Sequence, residues 1–291
     1  MGDIEGLGAG TVRPLTTGLR RLLYVASGLV ALAGFQLFVL TDHTDRYFSW
    51  TIQPGLTAAF LGAGYTASFF FEFLSARRRA WAGARHSVPT VLVFTVLTEI
   101  ATLLHLDKFH FGETFVWAGA AAWVWIAIYT LVPLTMIGLI PGQLRARGTD
   151  PPKRAPLPSW SRWILGVQAA VLLPLGLALF VASSRSTWWP WTLTPLTSQA
   201  VGAWLIGIGV GLVHAIIEAD LERIRPGLIA FAVLGALQLV ALVRYSGDVE
   251  WGHLGTWVYL AFAASVLVVG TMGLIGAAAA ERRSAIRSEE R

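Results

Sequence analysis

The chain has no cysteine, which excludes disulfides, thiolate metal centres, cysteine-held iron–sulfur clusters and thiol chemistry. Charge is scarce: 13% of residues are Asp, Glu, Lys or Arg, where soluble domains carry roughly 25%. Lysine is scarcer still, with only Lys108 and Lys153 among 22 basic residues. No P-loop, no GxSxG elbow, no DxDxDG calcium loop and no HExxH pair occurs. Glycine-rich pieces such as Gly207-Ile208-Gly209-Val210-Gly211 lie within apolar runs, where glycine serves packing. The sequence therefore identifies no catalytic residue, no cofactor and no metal site, and it leaves open whether the protein is an enzyme.

What is present is hydrocarbon. Of the 291 residues 55% are hydrophobic and mean hydropathy is +0.62, too much apolar surface for a water-soluble enzyme. The formal charge of +5 does not point to nucleic acid, because the basic residues sit in short segments between apolar runs and not on one face. Lipid bilayer is the expected surrounding.

Apolar runs of spanning length predict eight helices, near Leu22 to Leu40, Pro54 to Ala76, Val88 to Leu106, Thr114 to Ile140, Trp163 to Ser183, Leu196 to Ile217, Pro226 to Val243 and Leu254 to Ala280. The first run is too long for a signal-peptide core and is read as an uncleaved span. Counting Lys and Arg on alternate sides gives 18 in the two termini and the segments 77 to 87, 141 to 162 and 218 to 225. Four, Arg46, Lys108, Arg185 and Arg244, fall on the other side. Positive-inside bias then places both termini in the cytoplasm of a multi-pass plasma-membrane protein. The Pro/Arg-rich stretch 141–162 divides the chain into residues 1–140 and 163–291. Residues 1 to 18 and 284 to 291 lack an apolar face and are expected to be disordered.

The two parts resemble each other. Tyr47-Phe48-Ser49-Trp50-Thr51-Ile52-Gln53-Pro54 opens the second run and Trp188-Trp189-Pro190-Trp191-Thr192-Leu193-Thr194-Pro195 opens the sixth. Gly62-Ala63 falls on Gly202-Ala203, and Phe111-Gly112 with Trp117 on Trp251-Gly252 with Trp257. Four spans per copy is an even number, so both copies share one orientation. The expected fold class is all-α, two parallel four-helix repeats related by a pseudo-twofold along the membrane normal. Small residues in runs two and six (Ala58, Gly62, Gly64, Ser68; Ala203, Gly207, Gly211) permit close approach. They suggest packing near the axis or, alternatively, a homo-oligomer or membrane-protein partner docked on those faces. Pro133 and Pro174 are expected to kink their helices.

Glu99 is the foremost candidate for chemistry. Eleven residues into its span, it lies about 16 Å from the end at 1.5 Å per residue, near the bilayer midplane. Gln238 is aligned with it through a compensating gap, and Thr98 and Thr102 neighbour it; the four suggest ligand contact or ion coupling, against a plain interhelical hydrogen bond. Glu72 is expected to pair with the arginines that follow it. His214, Glu218 and Glu222 share a helical face suited to interfacial hydrogen bonds. Trp50 and Trp191, with Trp188, Trp189, Trp251 and Trp257, are expected to anchor the outer interface or to line an outer vestibule. His105, Asp107 and His253 belong to the same side, with His43, His110, Asp42, Asp45, Glu113, Asp248 and Glu250. His105 and His214 lie toward opposite leaflets and cannot share one haem iron. The leading functional expectation is transport or binding of a small solute, ion or lipid between the repeats. The alternatives are a membrane-embedded enzyme or redox subunit, and a structural or assembly subunit.

Overall fold

The computed structural model describes residues 11–112, 115–186 and 188–289. Glu113 lies outside them. Eight long helices account for most of the described chain: α1 (Thr17–Val39), α2 (Gly55–Ala76), α3 (Ser87–Leu104), α4 (Val116–Arg145), α5 (Ser159–Val181), α6 (Pro195–Glu218), α7 (Arg225–Arg244) and α8 (Leu254–Glu289). Short 3₁₀ turns and one four-residue helix, Thr44–Tyr47, join them. Among the described residues there is no strand, only isolated β-bridges.

Seven of these helices are long and apolar enough to cross a membrane, α2 being the exception. The polytopic membrane protein expected from composition is thus supported by seven helices. The physical reason for the exception lies in packing. α2 is 22 residues long, about 33 Å at 1.5 Å per residue. Its sequence is diluted by Gly, Ala, Thr, Ser, Tyr and Glu, yet nearly every residue from Gly55 to Tyr65 is buried. A helix wrapped by its neighbours is solvated by protein, so its own hydropathy need not match lipid. The outer helices behave oppositely: Val25, Leu32, Leu131, Leu134, Trp163 and Val181 are exposed, as a lipid-facing belt requires.

α1 packs along α2, α5 along α6, and α7 along α8; α2 also packs on α7, and α3 on α6. The small residues set these contacts. A Cβ at Gly62 would meet Phe38 N at 2.5 Å, and one at Gly202 would meet Gly176 O at 2.7 Å. Gly207 and Gly211 admit Phe94 and Thr90 of α3. Gly62, Gly202, Gly207 and Gly211 thus meet the preceding helix or α3, while Gly64 of α2 meets Trp204 of α6.

Two further expectations change. α4 runs through both Pro133 and Pro141 to Arg145, so the helix continues past Ile140; the following segment carries the bridges Val12↔Thr149 and Pro156↔Asp220. Nor are the described ends disordered. Residues 284–289 continue α8. Thr11 to Thr16 lies as a strap across the arginine-rich face, where the buried Gln143 side chain accepts from Thr16 N at 2.8 Å and donates to Pro14 O at 2.9 Å. Leu15, 3% exposed, anchors the strap in a core cluster, and backbone hydrogen bonds to Arg79, Trp81 and Thr149 hold the rest.

Candidate functional site

α2, α3, α6 and α7 meet at the centre of the bundle, where they enclose a cavity of about 100 Å³ on the side of the arginine-rich loops. A second, of about 140 Å³, opens on the tryptophan-rich side between α2, α5, α6, α7 and α8. Gly64, Trp204, Ile208 and Leu234 line both, so the two abut at Trp204. The reason is a missing side chain: a Cβ on Gly64 would lie 3.1 Å from the Trp204 ring. Trp204 fills the space Gly64 leaves and stacks with Phe94 (4.1 Å between centroids) and edge-on with Tyr65 (5.0 Å).

The arginine-side cavity holds two ionisable side chains in an otherwise apolar wall. Glu72 of α2 is 3% exposed and its Oε2 has no hydrogen-bond partner; no ion pair includes it among the described residues. The expected pairing with Arg77 fails on helical geometry, since five residues is about 140° around the helix. His86, just ahead of α3, is 2% exposed and neither ring nitrogen has a partner. It fits because Gly227 has no side chain; a Cβ there would touch Nε2 at 3.0 Å. Burial, with the charge of Arg78 nearby, pushes its pKa down to about 3, so the imidazole is neutral at pH 7. Sequence reasoning missed His86 because four loop arginines precede it, the pattern of a solvated segment.

On the arginine-rich face three arginines form ion pairs between separate loops. Arg85 donates to Glu218 from Nε (2.6 Å) and Nη2 (2.8 Å), and to Asp150 at 2.9 Å. Arg223 reaches Glu218 at 3.3 Å, and Arg78 pairs with Glu222 at 2.7 Å. These pairs tie the α2–α3 loop, the α4–α5 segment and the α6–α7 loop into one latch; the hydrogen bond from Arg85 to Glu218 raises the arginine's already high pKa. α6 ends at Glu218, so Glu222 lies in the following turn and not on one helical face with Glu218 as expected, and His214 turns its Nδ1 to Val210 O of its own helix.

The tryptophan-side cavity is lined by Trp188, Trp189, Phe60, Tyr259 and Gln238. Gln238 donates to Phe60 O at 3.1 Å and accepts from Tyr259 Oη at 2.5 Å. Trp50 and Trp191 are 3% and 2% exposed. They face inward, Trp50 against Trp125 and Phe48, and Trp191 against Trp189 and Tyr259 while donating to Thr57 Oγ1 at 2.9 Å.

Glu99 lines neither cavity. Half-buried, it accepts from Thr130 of α4 at 2.7 Å, and its Oε2 has no partner. Thr102 bonds Thr98 O and accepts from Trp125 Nε1 at 3.0 Å; Thr98 Oγ1 is unpartnered. His105 Nδ1 contacts Ala101 O, His253 Nδ1 accepts from Gly255 N, and Asp107 pairs with Lys108, which lowers its pKa. These sequence-selected groups lie on separate elements, and among the described residues no three His, Asp or Glu side chains gather to hold a metal. Comparison with known proteins finds no matching family model, no matching curated protein and no matching solved structure.

Proposed function

We propose that the protein binds a small solute at the interface of two four-helix repeats and carries it across the plasma membrane. The observation that carries this reading is the pair of cavities meeting at Trp204, one toward each face of the bundle. Alternating access needs a central site with two approaches and a closable barrier between them, and a buried indole at the boundary supplies the barrier.

All eight long helices span in this reading, with α2 as the protein-solvated one. The repeat is supported by equivalent hydrogen bonds in the two halves. Trp81 N donates to Arg13 O as Leu221 N does to Ala155 O; Leu15 N donates to Arg79 O as Leu157 N does to Ala219 O; His110 N donates to Ser49 O as Glu250 N does to Pro190 O. The 3₁₀ turns at Leu106–Lys108 and Ser246–Asp248 and the bridge partners Ala80 and Asp220 lie 140 positions apart, a constant offset with no gap between. Gln238 then corresponds to Thr98, and Glu99 is one position further round the helix, facing α4. We accordingly assign ligand contact to Gln238 and an interhelical hydrogen bond to Glu99. In this reading the arginine-rich face is cytoplasmic, which its positive charge supports.

Thiol accessibility tests the reading in this cysteine-free chain. Ser68→Cys lines one cavity and Ala263→Cys the other. A membrane-impermeant thiol reagent is expected to reach Ser68→Cys from the arginine-rich side and Ala263→Cys from the opposite side. Labelling of neither position from either side means a closed bundle and defeats the proposal.

A further inference from the structure

We propose that the arginine-side cavity binds a small organic amine in its protonated form, with Glu72 as counter-ion and His86 as hydrogen-bond acceptor; this rests on the solute-binding reading above and names the class of solute. Three features converge. A carboxyl group 3% exposed carries an unpartnered oxygen, and an imidazole 2% exposed carries two unpartnered nitrogens, in one cavity. Burying such groups unsatisfied is costly, so the carboxyl oxygen and the acceptor nitrogen of the imidazole await a donor that the protein does not deliver to them. Among the described residues no arginine reaches Glu72 Oε2 or either ring nitrogen of His86. Arg78 is committed to Glu222, Arg85 to Glu218 and Asp150, and Arg223 to Glu218.

The rest of the wall selects against a bare metal ion and for an organic cation. Calcium or magnesium needs six or more oxygen ligands, and here Glu72 is joined only by the hydroxyls of Ser68 and Thr90 among aliphatic and aromatic groups. Phe71, Phe94, Trp204 and Phe231 also line the space; aromatic faces attract ammonium groups and bury the hydrocarbon that accompanies them. Size sets the scale. The cavity is half open, so its roughly 100 Å³ receives the ammonium head and adjoining hydrocarbon of a compact amine while the rest of the ligand reaches into the opening. An ammonium head has three donors, enough to serve both the carboxylate and the imidazole.

The test compares three probes of one shape and different charge on the full-length protein in detergent at pH 7: benzylamine, benzyl alcohol and benzoate. Benzylamine is expected to raise the thermal unfolding midpoint in a concentration-dependent way and to give a saturable calorimetric isotherm, with benzoate inert. Glu72→Gln is expected to weaken benzylamine binding at least tenfold, while Glu99→Gln, a carboxyl outside both cavities, leaves it unchanged. Benzyl alcohol or benzoate binding as tightly as the amine would overturn the charge assignment on the wild-type protein alone, even if Glu72→Gln fails to fold. Absence of binding by all three overturns the amine site, while the two-sided thiol access described above decides separately whether a solute path exists.

Discussion

At the scale of single residues, two positions carry strain or buried charge chemistry that solution experiments can read. His86 is held neutral down to a pKa of about 3, whereas the unfolded chain takes up that proton near 6.5. Between those values the unfolded state binds more protons, so stability present at pH 7 is lost as pH falls. Lowering the pH from 7 to 5 is expected to cost about 2 kcal/mol through this group, and His86→Gln should flatten the pH dependence of the unfolding midpoint. An unchanged slope in the variant would show that the acid sensitivity lies elsewhere. Ala219 caps α6 at φ 49, a left-handed conformation in which an L side chain is penalised and glycine is not. Ala219→Gly is expected to stabilise the protein by about 1 kcal/mol, seen as a higher unfolding midpoint; a lower one would contradict the strain.

At the scale of helices, glycine decides who touches whom. Gly62 lets α2 press against the backbone of α1, with a Cβ at that position only 2.5 Å from Phe38 N. Backbone cannot move aside as a side chain can, so Gly62→Ala is expected to destabilise by about 1–3 kcal/mol through overpacking. Gly138 of α4 has nothing within 4 Å of its would-be Cβ, and Gly138→Ala is expected to be neutral or stabilising by up to about 1 kcal/mol from helix propensity. Thermal unfolding of the two variants side by side gives the answer; equal effects would mean that α1 and α2 are not in close contact. The same geometry explains why the small-residue pattern in α2 and α6 was legible but its use was not. Spacing shows that a helix has a smooth face, and only the partner shows which neighbour fills it.

At the scale of the whole molecule, the alternation of basic and aromatic ends gives the bundle a direction. One face carries the Arg85–Glu218–Arg223 latch and the N-terminal strap; the other carries Trp50, Trp188, Trp189, Trp191 and Trp251. Asp45 and Lys153 are exposed on opposite faces. Asp45→Cys is expected to react with a membrane-impermeant thiol reagent in intact cells, and Lys153→Cys only after lysis. The reverse pattern would invert the orientation.

The sequence alone determined the environment, because hydrocarbon content and charge scarcity are additive quantities that survive any arrangement of the chain. It also located the long helices, since apolar runs of about 20 residues stand out from the polar segments that join them, and it marked the arginine-rich face by counting. Even α2, the least apolar, was placed at Pro54 to Ala76 against the observed Gly55–Ala76. What only the tertiary structure decided was which polar groups share a space. Glu99 stood out by depth, yet depth along an axis says nothing of azimuth, and its carboxyl meets Thr130 instead of a cavity. Glu72 and His86 looked like members of an arginine-rich boundary, yet helical rotation separates Glu72 from Arg77, and the absent Cβ of Gly227 draws His86 inward. The seat of Trp204 depends likewise on Gly64, a residue 140 positions away. Burial, pairing and enclosure are properties of juxtaposed chain segments, and those are fixed only when the helices pack.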